Sequence, residues 1–392
     1  MPISLLVASA DERFREMIRE SLINVENARV ISEYPEVSSN LYIRVLQDLE
    51  RNPQAALIVD LAADSEGSLK ALEKVKLAAP ELYVIASNYH ADAEAVIAGL
   101  RAGASDFLMQ PIRRMEFRDA MARLERTPRR AVAGGSRLGK MYSFLGVKGG
   151  VGTTMLAVNF AAVLAQNGAQ QTPVLVDLDF TADDCAMQTG CSPQHTLFEI
   201  AENLSRLDQA LFEGLVTRDA LGFLLASPPS QPEHRRRFTE PMFRELATFL
   251  VEKYESIVID AGRWIDNEIT LAAMQSSSAV FLVIMQQFPA IRNAQRYIVE
   301  LMRLGFNQDQ LRIVVNQYQK KPDPNLATLE QIQQTLNLPV FHTLPVSTAA
   351  LAAVTRGRPV AADRTSGGEL DRSLRTFADK VMGVKPSVAK TA

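Results

Sequence analysis

The sequence predicts an α/β protein of two doubly wound domains, each organised around a mainly parallel sheet. Three observations lead to this fold class. Five short apolar runs alternate with helix-like segments over the first 126 residues. A buried strand then passes through a glycine-rich turn into an apolar helix at residues 141–166. Later apolar runs end in carboxylates, which suits parallel strands whose carboxyl ends share one ligand-binding edge.

The composition is that of a globular, core-forming chain. Its 392 residues are 47% hydrophobic and 22% charged, and the net charge of −3 gives no overall attraction to nucleic acid or anionic membrane. The most apolar runs, such as Ala279–Met285, fall short of the roughly 20 residues that a spanning helix needs. The two cysteines are too few for a disulfide framework and show no metal-binding spacing. We therefore expect a cytoplasmic protein.

The first predicted domain covers residues 1–126. Apolar residues at helical spacing predict helices between short strands, which together indicate a doubly wound unit. The periodic helix positions are Phe14, Ile18 and Leu22 in one helix and Ala93, Val96, Ile97 and Leu100 in another. The predicted strands are Ile3–Ala8, Arg29–Ser32, Ala55–Asp60, Leu82–Ala86 and Ser105–Met109.

Three parts of this domain resemble a response-regulator receiver domain: the run LIVDL, the segment LRAGASDFL and the Gln-Pro pair at 110–111. The resemblance implies that Asp60 occupies the phosphoryl-acceptor position. The acid pair that would hold Mg²⁺ is replaced by Ser9 and Ala10, with Asp11 beside them, and Gln110 stands in place of the lysine. Without those groups phosphoryl transfer loses most of its charge stabilisation. We expect a pseudo-receiver used for protein contact or dimerisation, with phosphorylation of Asp60 as the alternative.

A linker is predicted at residues 127–140, where TPRRAVAGGSRLGK is rich in glycine and basic residues and has no apolar period. We expect a solvated tether, and contact with an acidic partner or lipid is the alternative. The second predicted domain covers residues 141–384, and a polar tail covers residues 385–392.

A phosphate-binding loop is predicted between Met141 and Thr154, in MYSFLGVKGGVGTT. Glycines let backbone N–H groups approach phosphate oxygens, and the following helix, Met155–Gln166, offers free donors and a positive dipole end. The common pattern GxxxxGK[ST] is incomplete, because Thr153 takes the usual lysine position and Val147 that of the first glycine. A glycine-rich turn without a ligand is the alternative.

Lys148 opens KGGVG and resembles the signature lysine of the deviant Walker A loop in the MinD/ParA superfamily of dimeric ATPases. The resemblance implies that Lys148 takes part in catalysis by contacting the nucleotide of the partner subunit in a homodimer. It also implies that the Thr154 hydroxyl binds Mg²⁺. The residues implied to hold ATP are Lys148, Gly149, Gly150, Val151, Gly152, Thr153 and Thr154.

Two further predicted strands end in acids. They are TPVLVDL, which Asp179 follows, and SIVID, and a parallel sheet would place their acids at the ligand edge. By resemblance to the same superfamily, Asp177 organises the Mg²⁺ shell, Asp179 positions or activates the attacking water, and Asp260 is a Walker B acid in outer contact with Mg²⁺. Carboxylates suit these roles as hard oxygen ligands and proton acceptors. Acids that merely end strands are the alternative.

A base pocket is inferred from resemblance alone. Asn316 ends the predicted strand Leu311–Asn316 and resembles the asparagine that reads the adenine edge, since an amide both donates and accepts. Pro345 and the helix-like segment Ala349–Val354 would form the far wall. The alternative for Asn316 is a strand-end residue in a turn.

Other segments carry separate predictions. Leu197–Val216 is predicted to be helical and Gly222–Pro228 to be a strand. The basic run His234–Arg237 is expected to be a solvated loop or helix start, with phosphate contacts on DNA as the alternative. The amphipathic segment after Gly367 is expected to dock against its domain, with a membrane-targeting helix as the alternative. Its apolar positions are Leu370, Leu374, Phe377 and Val381.

The domain order, the loop KGGVG followed by a residue other than lysine, and the segment Phe288–Arg296 resemble CpaE/TadZ-type proteins of Flp (Tad) pilus assembly. This resemblance implies a cytoplasmic ATP-binding protein that marks the assembly site, often at a cell pole, and recruits secretion machinery, with indirect membrane association. Because Thr153 removes a charge from the β/γ-phosphates, we expect weak or absent hydrolysis.

Two other functions stay open. A DNA-partition ATPase would bind DNA through Arg235, Arg236 and Arg237, although nucleic-acid binding is not the favoured interpretation. A nucleotide-independent localisation scaffold would follow if the incomplete loop binds no ligand.

Overall fold

The computed structural model describes residues 3–23, 27–38, 40–62, 64–89, 93–127, 138–168, 172–321, 323–362 and 368–383. The chain divides into two compact units, Met1–Arg137 and Leu138–Ala392. Most of the predicted linker and the whole predicted polar tail lie outside the described residues.

In the first unit, helices alternate with strands along the described chain. The strands pair in parallel in the order β2-β1-β3-β4-β5, so the predicted α/β fold class is confirmed. The strands are β1 Ile3–Ala8, β2 Ala28–Tyr34, β3 Ala56–Asp60, β4 Val84–Asn88 and β5 Asp106–Met109. The helices are α1 Glu12–Leu22, α2 Leu41–Arg51, α3 Ser65–Ala78, α4 Ala93–Arg101 and α5 Arg114–Arg126.

Helix α4 forms as predicted, but its long apolar residues do not face the core. Ile97 and Leu100 are 46% and 48% exposed. The inner side of the helix carries Gly99 instead, where an added Cβ would lie 3.6 Å from side-chain atoms of Leu61 and Phe107. A small residue therefore lets α4 lie close to its neighbours, and the larger apolar groups are left on the outer side.

In the second unit, the described strands form an eight-stranded sheet in the order β13-β12-β11-β6-β10-β7-β9-β8. The strands pair in parallel except β8 and β9, which are antiparallel. They are β6 Lys140–Gly146, β7 Val174–Asp177, β8 Thr217–Arg218, β9 Leu224–Ala226, β10 Ser256–Asp260, β11 Ala279–Ile284, β12 Leu311–Tyr318 and β13 Val340–Pro345.

Eleven α-helices are described in this second unit. They are α6 Thr153–Gln166, α7 Asp184–Thr189, α8 Leu197–Glu202, α9 Gln209–Leu215, α10 Pro232–Arg237, α11 Glu240–Lys253, α12 Glu268–Gln275, α13 Phe288–Arg303, α14 Leu329–Leu336, α15 Thr348–Arg356 and α16 Gly368–Met382. Short 3₁₀ helices are found at Leu204–Arg206, Gln308–Gln310 and Val360–Ala362.

The segment Leu197–Val216 is mostly helical, as predicted, but it is divided into two α-helices and a 3₁₀ turn. Helix α8 ends at Glu202 with Asn203 as its cap, and a new helix, α9, begins after Asp208, whose carboxylate accepts a 2.8 Å hydrogen bond from the Leu211 N–H. Asparagine and aspartate compete for backbone hydrogen bonds and so favour helix ends over helix interiors. The predicted strand Gly222–Pro228 is shorter than expected, because only its centre pairs with β7.

Helix α16 docks on the core of its unit, as predicted for the amphipathic segment. Phe377 is fully buried, and its ring centre lies 5.0 Å from that of Phe281 and 5.4 Å from that of Phe160. Phe144, from β6, stacks on Phe281 at 4.9 Å. Burial of each such ring contributes on the order of 2 to 3 kcal/mol before the costs of ordering. Helix α16 is therefore part of the core rather than a free amphipathic element.

Candidate functional site

The glycine-rich loop joins β6 to α6 in the conformation that its sequence requires. Gly150 and Gly152 have φ angles of +78° and +88°, a region that other residues rarely occupy. The backbone N–H of Val147 donates to the Val283 carbonyl of β11 at 3.2 Å, which fixes the start of the loop. The first turn of α6, from Thr153, leaves N–H groups without intrahelical acceptors. The loop can therefore present backbone donors to an anion.

Asn316 of β12, a strand separated from β6 by β11, bonds to this loop. Its side-chain N–H donates to the Val151 carbonyl at 2.8 Å, and its Oδ1 accepts from the Gln317 N–H at 2.9 Å. The side chain is 2% exposed, and it contacts the position that a Cβ on Gly152 would take. The amide thus binds the loop in this structure, and its reading of adenine stays a prediction. Pro345 ends β13 beside Tyr318 and is half-buried.

Two buried aspartates meet where β7 and β10 end. Asp177 and Asp260 are paired in the register of these strands, and both are fully buried. Asp177 accepts hydrogen bonds from the Asp179 N–H at 2.9 Å and the Cys185 N–H at 3.3 Å. Asp260 accepts from the Gly262 N–H at 3.2 Å. The ligand edge predicted from the two acid-ended strands is therefore formed.

Both carboxylates are held in an environment that disfavours their charge. Burial, followed by repulsion from Asp260, raises the pKa of Asp177 well above its ordinary value. Burial also raises the pKa of Asp260 to about 6, although a hydrogen bond from the Thr154 hydroxyl lowers it. Two like charges at one buried site need a cation to be stable together. Thr154, at the start of α6, thus lies beside Asp260, and its binding of Mg²⁺ stays a prediction.

Cys185 is a member of this cluster that sequence reasoning missed. Its Sγ and carboxylate oxygens of Asp177 and Asp260 all lie within 4.8 Å of one another. The thiol lies 3.6 Å from Asp260 Oδ2, and burial raises its pKa well above the usual value. The spacing of Cys185 from the acids resembles no metal motif, because helix α7 rather than a local turn brings it into place.

The donor set fits a hard divalent cation. Asp177, Asp260 and the Thr154 hydroxyl offer oxygen ligands of the kind Mg²⁺ prefers, and a bound cation would relieve the raised carboxylate pKa values. When bound, Mg²⁺ would supply charge neutralisation for phosphate oxygens. The thiol of Cys185 is a softer donor and is better suited to a neutral hydrogen bond with Asp260 here.

Comparison with known proteins decides the family of the second unit. The sequence profile described as CobQ/CobB/MinD/ParA nucleotide binding domain matches residues 142–360. The chain belongs to this family.

Individual relatives agree with the family assignment. The septum site-determining protein MinD of Thermotoga maritima is 24% identical over 60% of this chain and 85% of its own. A ParA family ATPase from Chlorobium tepidum shares the fold with a TM-score of 0.57 and 20% identity, over 62% of this chain and 98% of its own. MinD from Pyrococcus horikoshii, a complex with Mg-ADP, gives a TM-score of 0.54 at 19% identity, over 65% of this chain and 100% of its own.

The remaining predicted residues of the MinD/ParA-type site lie around the same loop. Lys148 is half-buried and makes no hydrogen bond or ion pair with the described part of the chain. Thr153 is buried, and its hydroxyl contacts the position that a Cβ on Gly146 would take. Asp179 is half-buried and accepts from the Thr181 N–H at 3.1 Å. The structure thus brings the predicted phosphate and metal residues together.

The basic run in α10 is partly engaged within the MinD/ParA-type domain. Arg235 donates to the Pro229 carbonyl at 2.8 Å, and Arg237 pairs with Glu202 at 3.2 Å. Arg236 is exposed. Two of the three arginines are therefore oriented by the protein itself, which does not resemble a phosphate-contact surface. No described helix has the length and apolar character needed to cross a membrane.

In the first unit, the predicted phosphoryl acceptor Asp60 is closed off by hydrogen bonds. Asp60 is 2% exposed. Its Oδ2 accepts from the Ser9 hydroxyl at 2.6 Å, and its Oδ1 accepts from Gln110 Nε2 at 2.8 Å and the Ala62 N–H at 2.9 Å. The side-chain amide oxygen (Oε1) of Gln110 is buried without a hydrogen-bond partner among the described residues. Neutral groups therefore donate to the Asp60 carboxylate, whereas in a receiver domain a metal ion and a lysine lie beside it.

A separate cavity of about 700 Å³ lies between α13 and α14. Its lining includes Phe288, Arg292, Arg296, Gln331 and Thr335. These are not residues that the sequence predicted for the nucleotide site, so the cavity and the acid cluster are different features of the unit.

Proposed function

We propose that this protein is an ATP- and Mg²⁺-dependent dimeric switch of the MinD/ParA type. One observation carries the proposal: the buried pair Asp177 and Asp260 lies where β7 and β10 end, and the Thr154 hydroxyl at the start of α6 is near enough to lower the pKa of Asp260. A glycine loop that offers N–H donors and a carboxylate pair that requires a cation are the two halves of a metal–triphosphate site. ATP with Mg²⁺ satisfies both.

Dimerisation across the nucleotide is supported by the surface around the loop. Large apolar residues are exposed just after several parallel strands, at the carboxyl edge of the sheet where the loop lies. Trp264 after β10, Phe288 after β11 and Val346 after β13 are 49%, 58% and 55% exposed. Exposed apolar groups gathered on one edge favour a protein interface there. Lys148 has no hydrogen-bond or ion-pair partner among the described residues of its own chain, which leaves it available to a second copy.

Slow or absent hydrolysis is the activity we expect. Thr153 is neutral and buried where the common loop carries a lysine, so one charge on the β/γ-phosphates is missing. Asp179 is positioned near the turn at Gly262, where it would orient an attacking water. Binding without rapid turnover suits a switch, because the nucleotide then stabilises one assembly for a long time.

The cellular role we propose is in Flp/Tad-type pilus assembly, where the protein marks the assembly site and recruits secretion machinery. The support is the combination of an incomplete ATP loop with a receiver-like unit whose Asp60 is closed by Ser9 and Gln110. Such a unit is suited to protein contact rather than phosphoryl transfer. We place the protein in the cytoplasm, with pilus proteins as partners and membrane association through them.

Nucleotide-linked dimerisation tests this proposal. We expect ATP with Mg²⁺, but not Mg²⁺ alone, to shift the unchanged protein toward a dimer in size measurements. Lys148→Ala should bind ATP with similar affinity in calorimetric titration and remain monomeric, because the lysine acts across the interface. Arg236→Gln, an exposed charge change elsewhere, is the matched control.

The competing functions give different results in the same experiment. An unchanged dimer fraction in Lys148→Ala would contradict the cross-subunit role. Failure of millimolar ATP to change melting temperature or dimerisation would favour a nucleotide-independent scaffold. Salt-sensitive DNA binding that is lost when Arg235, Arg236 and Arg237 are replaced would favour a partition ATPase.

A further inference from the structure

Arg263 is fixed in position by the turn that follows the Walker B strand β10. Gly262 adopts a φ of +61°, and its carbonyl accepts a 2.8 Å hydrogen bond from the Gly146 N–H at the end of β6. The Arg263 carbonyl accepts from the Tyr297 hydroxyl of α13 at 2.7 Å. The backbone around Arg263 is therefore hydrogen-bonded to both strand β6 and helix α13.

The guanidinium of Arg263 lies against the phosphate loop. Its nearest nitrogen is 2.7 Å from the position that a Cβ on Gly149 would take, and its Cζ is 3.9 Å from that position. The side chain is exposed, and its Cζ lies 4.8 Å from the centre of the Trp264 ring. It has no ion pair or hydrogen bond within the described residues. Its five N–H donors are thus available beside the loop.

Near the phosphate loop, acidic residues outnumber basic ones, so the positive charge of Arg263 can matter there. Between Met141 and Gly168 the sequence holds one basic residue, Lys148, and no cation occupies the Thr153 position. Three carboxylates, those of Asp177, Asp179 and Asp260, lie at the same edge of the sheet. In the proposed dimer, Lys148 contacts the nucleotide of the partner subunit, so the metal is the main positive charge beside a triphosphate in this loop. A triphosphate there needs a further cation.

We propose that Arg263 binds a phosphate of the nucleotide held in its own chain and so replaces the missing loop lysine at Thr153. This assignment rests on the proposed ATP-binding function and adds a residue to it. A guanidinium can bond phosphate oxygens in a bidentate manner, which suits an approach from beside the loop rather than from within it. Gly149 makes the approach possible, because any side chain there would occupy the place of the guanidinium. Trp264 orients the arginine through its ring face.

Substitution with a charge-free residue of similar length tests the assignment. We expect Arg263→Gln to weaken binding of ATP with Mg²⁺ by about 10- to 100-fold, as expected for loss of a charge-assisted hydrogen bond. The measurement is equilibrium titration on the full chain with a fluorescent ATP analogue and by calorimetry. Arg236→Gln, with the same charge change at an exposed position in α10, should bind as the unchanged protein does.

A second-site variant separates a phosphate contact from a structural role. Adding Thr153→Lys to Arg263→Gln should raise the affinity for ATP with Mg²⁺ at least tenfold over that of Arg263→Gln alone, because it returns a cation to the loop. Affinity in Arg263→Gln equal to that in Arg236→Gln would overturn the assignment while leaving the proposed function standing. Loss of affinity together with a lower ligand-free melting temperature and no rescue by Thr153→Lys would also overturn it. Absence of ATP binding to the unchanged protein would overturn the proposed function itself.

Discussion

Asp60 and Asp260 each end a buried parallel strand, yet their surroundings prepare them for different roles. Asp60 accepts three hydrogen bonds from neutral donors, at Ser9, Gln110 and Ala62. Asp260 shares its site with a second carboxylate, and burial raises its pKa to about 6. The first acid is satisfied by its own chain, whereas the second is in a buried acid pair whose charge a bound cation would stabilise.

The hydrogen bonds to Asp60 predict how much Asp60→Ala and Asp60→Asn lower the stability of the fold. Asp60→Ala should lower the free energy of unfolding by about 2 to 4 kcal/mol, because it leaves buried donors unpaired and opens a small cavity. Asp60→Asn should cost about 1 kcal/mol, because an amide can keep most of the bonds after the Ser9 hydroxyl rotates. Chemical denaturation measures both values. Equal losses in the two variants would show that the hydrogen bonds do not matter.

The same geometry predicts resistance to phosphorylation. Incubation with acetyl phosphate and Mg²⁺ should leave the mass of the intact protein unchanged, because the donors that the described residues offer to Asp60 are the neutral groups of Ser9, Gln110 and Ala62. A mass increase of one phosphoryl group that is lost in Asp60→Asn would contradict this expectation.

At the scale of elements, α16 is joined to β13 through a histidine. The Nε2 of His342 lies 3.0 Å from both the carbonyl and the hydroxyl oxygen of Ser373. Burial lowers the pKa of His342 to about 4; the bond to Ser373 opposes this shift, and nearby Lys380 adds to it. The contact between the last described helix and the edge strand therefore depends on a neutral imidazole.

This contact predicts a pH dependence of stability. Below pH 6.5 the imidazole takes up a proton in the unfolded chain but stays neutral in the folded one until about pH 4. Stability should therefore fall as the pH drops from 6.5 to 4, by at most about 3 kcal/mol from this residue. Denaturation curves of His342→Gln should lack this part of the pH dependence. His195→Gln, at an exposed position, is the control, and identical curves for the two variants would contradict the prediction.

Elements with a strong local signal could be predicted from the sequence, and those set by tertiary contact could not. Apolar runs before Asp177 and Asp260 identify the strands and their acids, because burial and chain direction fix both. Helix α7, which carries Cys185 to the acids, has a weak apolar period over a short length. The break between α8 and α9 depends on the capping residue Asp208, which a reading by apolar content alone overlooks.

The contact between Asn316 and the phosphate loop is another feature that the sequence alone does not predict. Asn316 could be located at a strand end, but its bond to Val151 joins residues that are far apart in the sequence. Arg263 gave no motif signal, since its position against Gly149 follows from the turn at Gly262 and from Tyr297. Sequence patterns thus indicate which residues reach an edge of a sheet, whereas the partner that each one meets there is a property of the folded chain.

At the scale of the whole molecule, the two units are expected to respond separately to ligand. Each has its own sheet and buried core, so calorimetry should resolve two unfolding transitions. ATP with Mg²⁺ at 100 times its dissociation constant should stabilise one of them by about 2.7 kcal/mol and leave the other in place. Asp260→Asn should reduce that shift, because it removes a negative charge from the proposed outer contact with Mg²⁺. A single transition, or equal shifts in both, would contradict the expectation.

The aromatic cluster around Phe377 has a consequence for biosynthesis. Its rings come from β6, α6, β11 and α16, so the first and the last described elements of the second unit share one core. During translation, Phe144 and Phe160 emerge from the ribosome well before Phe377 can cover them. A nascent chain therefore exposes this apolar surface for many seconds at ordinary elongation rates. A chaperone is expected to shield it until synthesis passes α16.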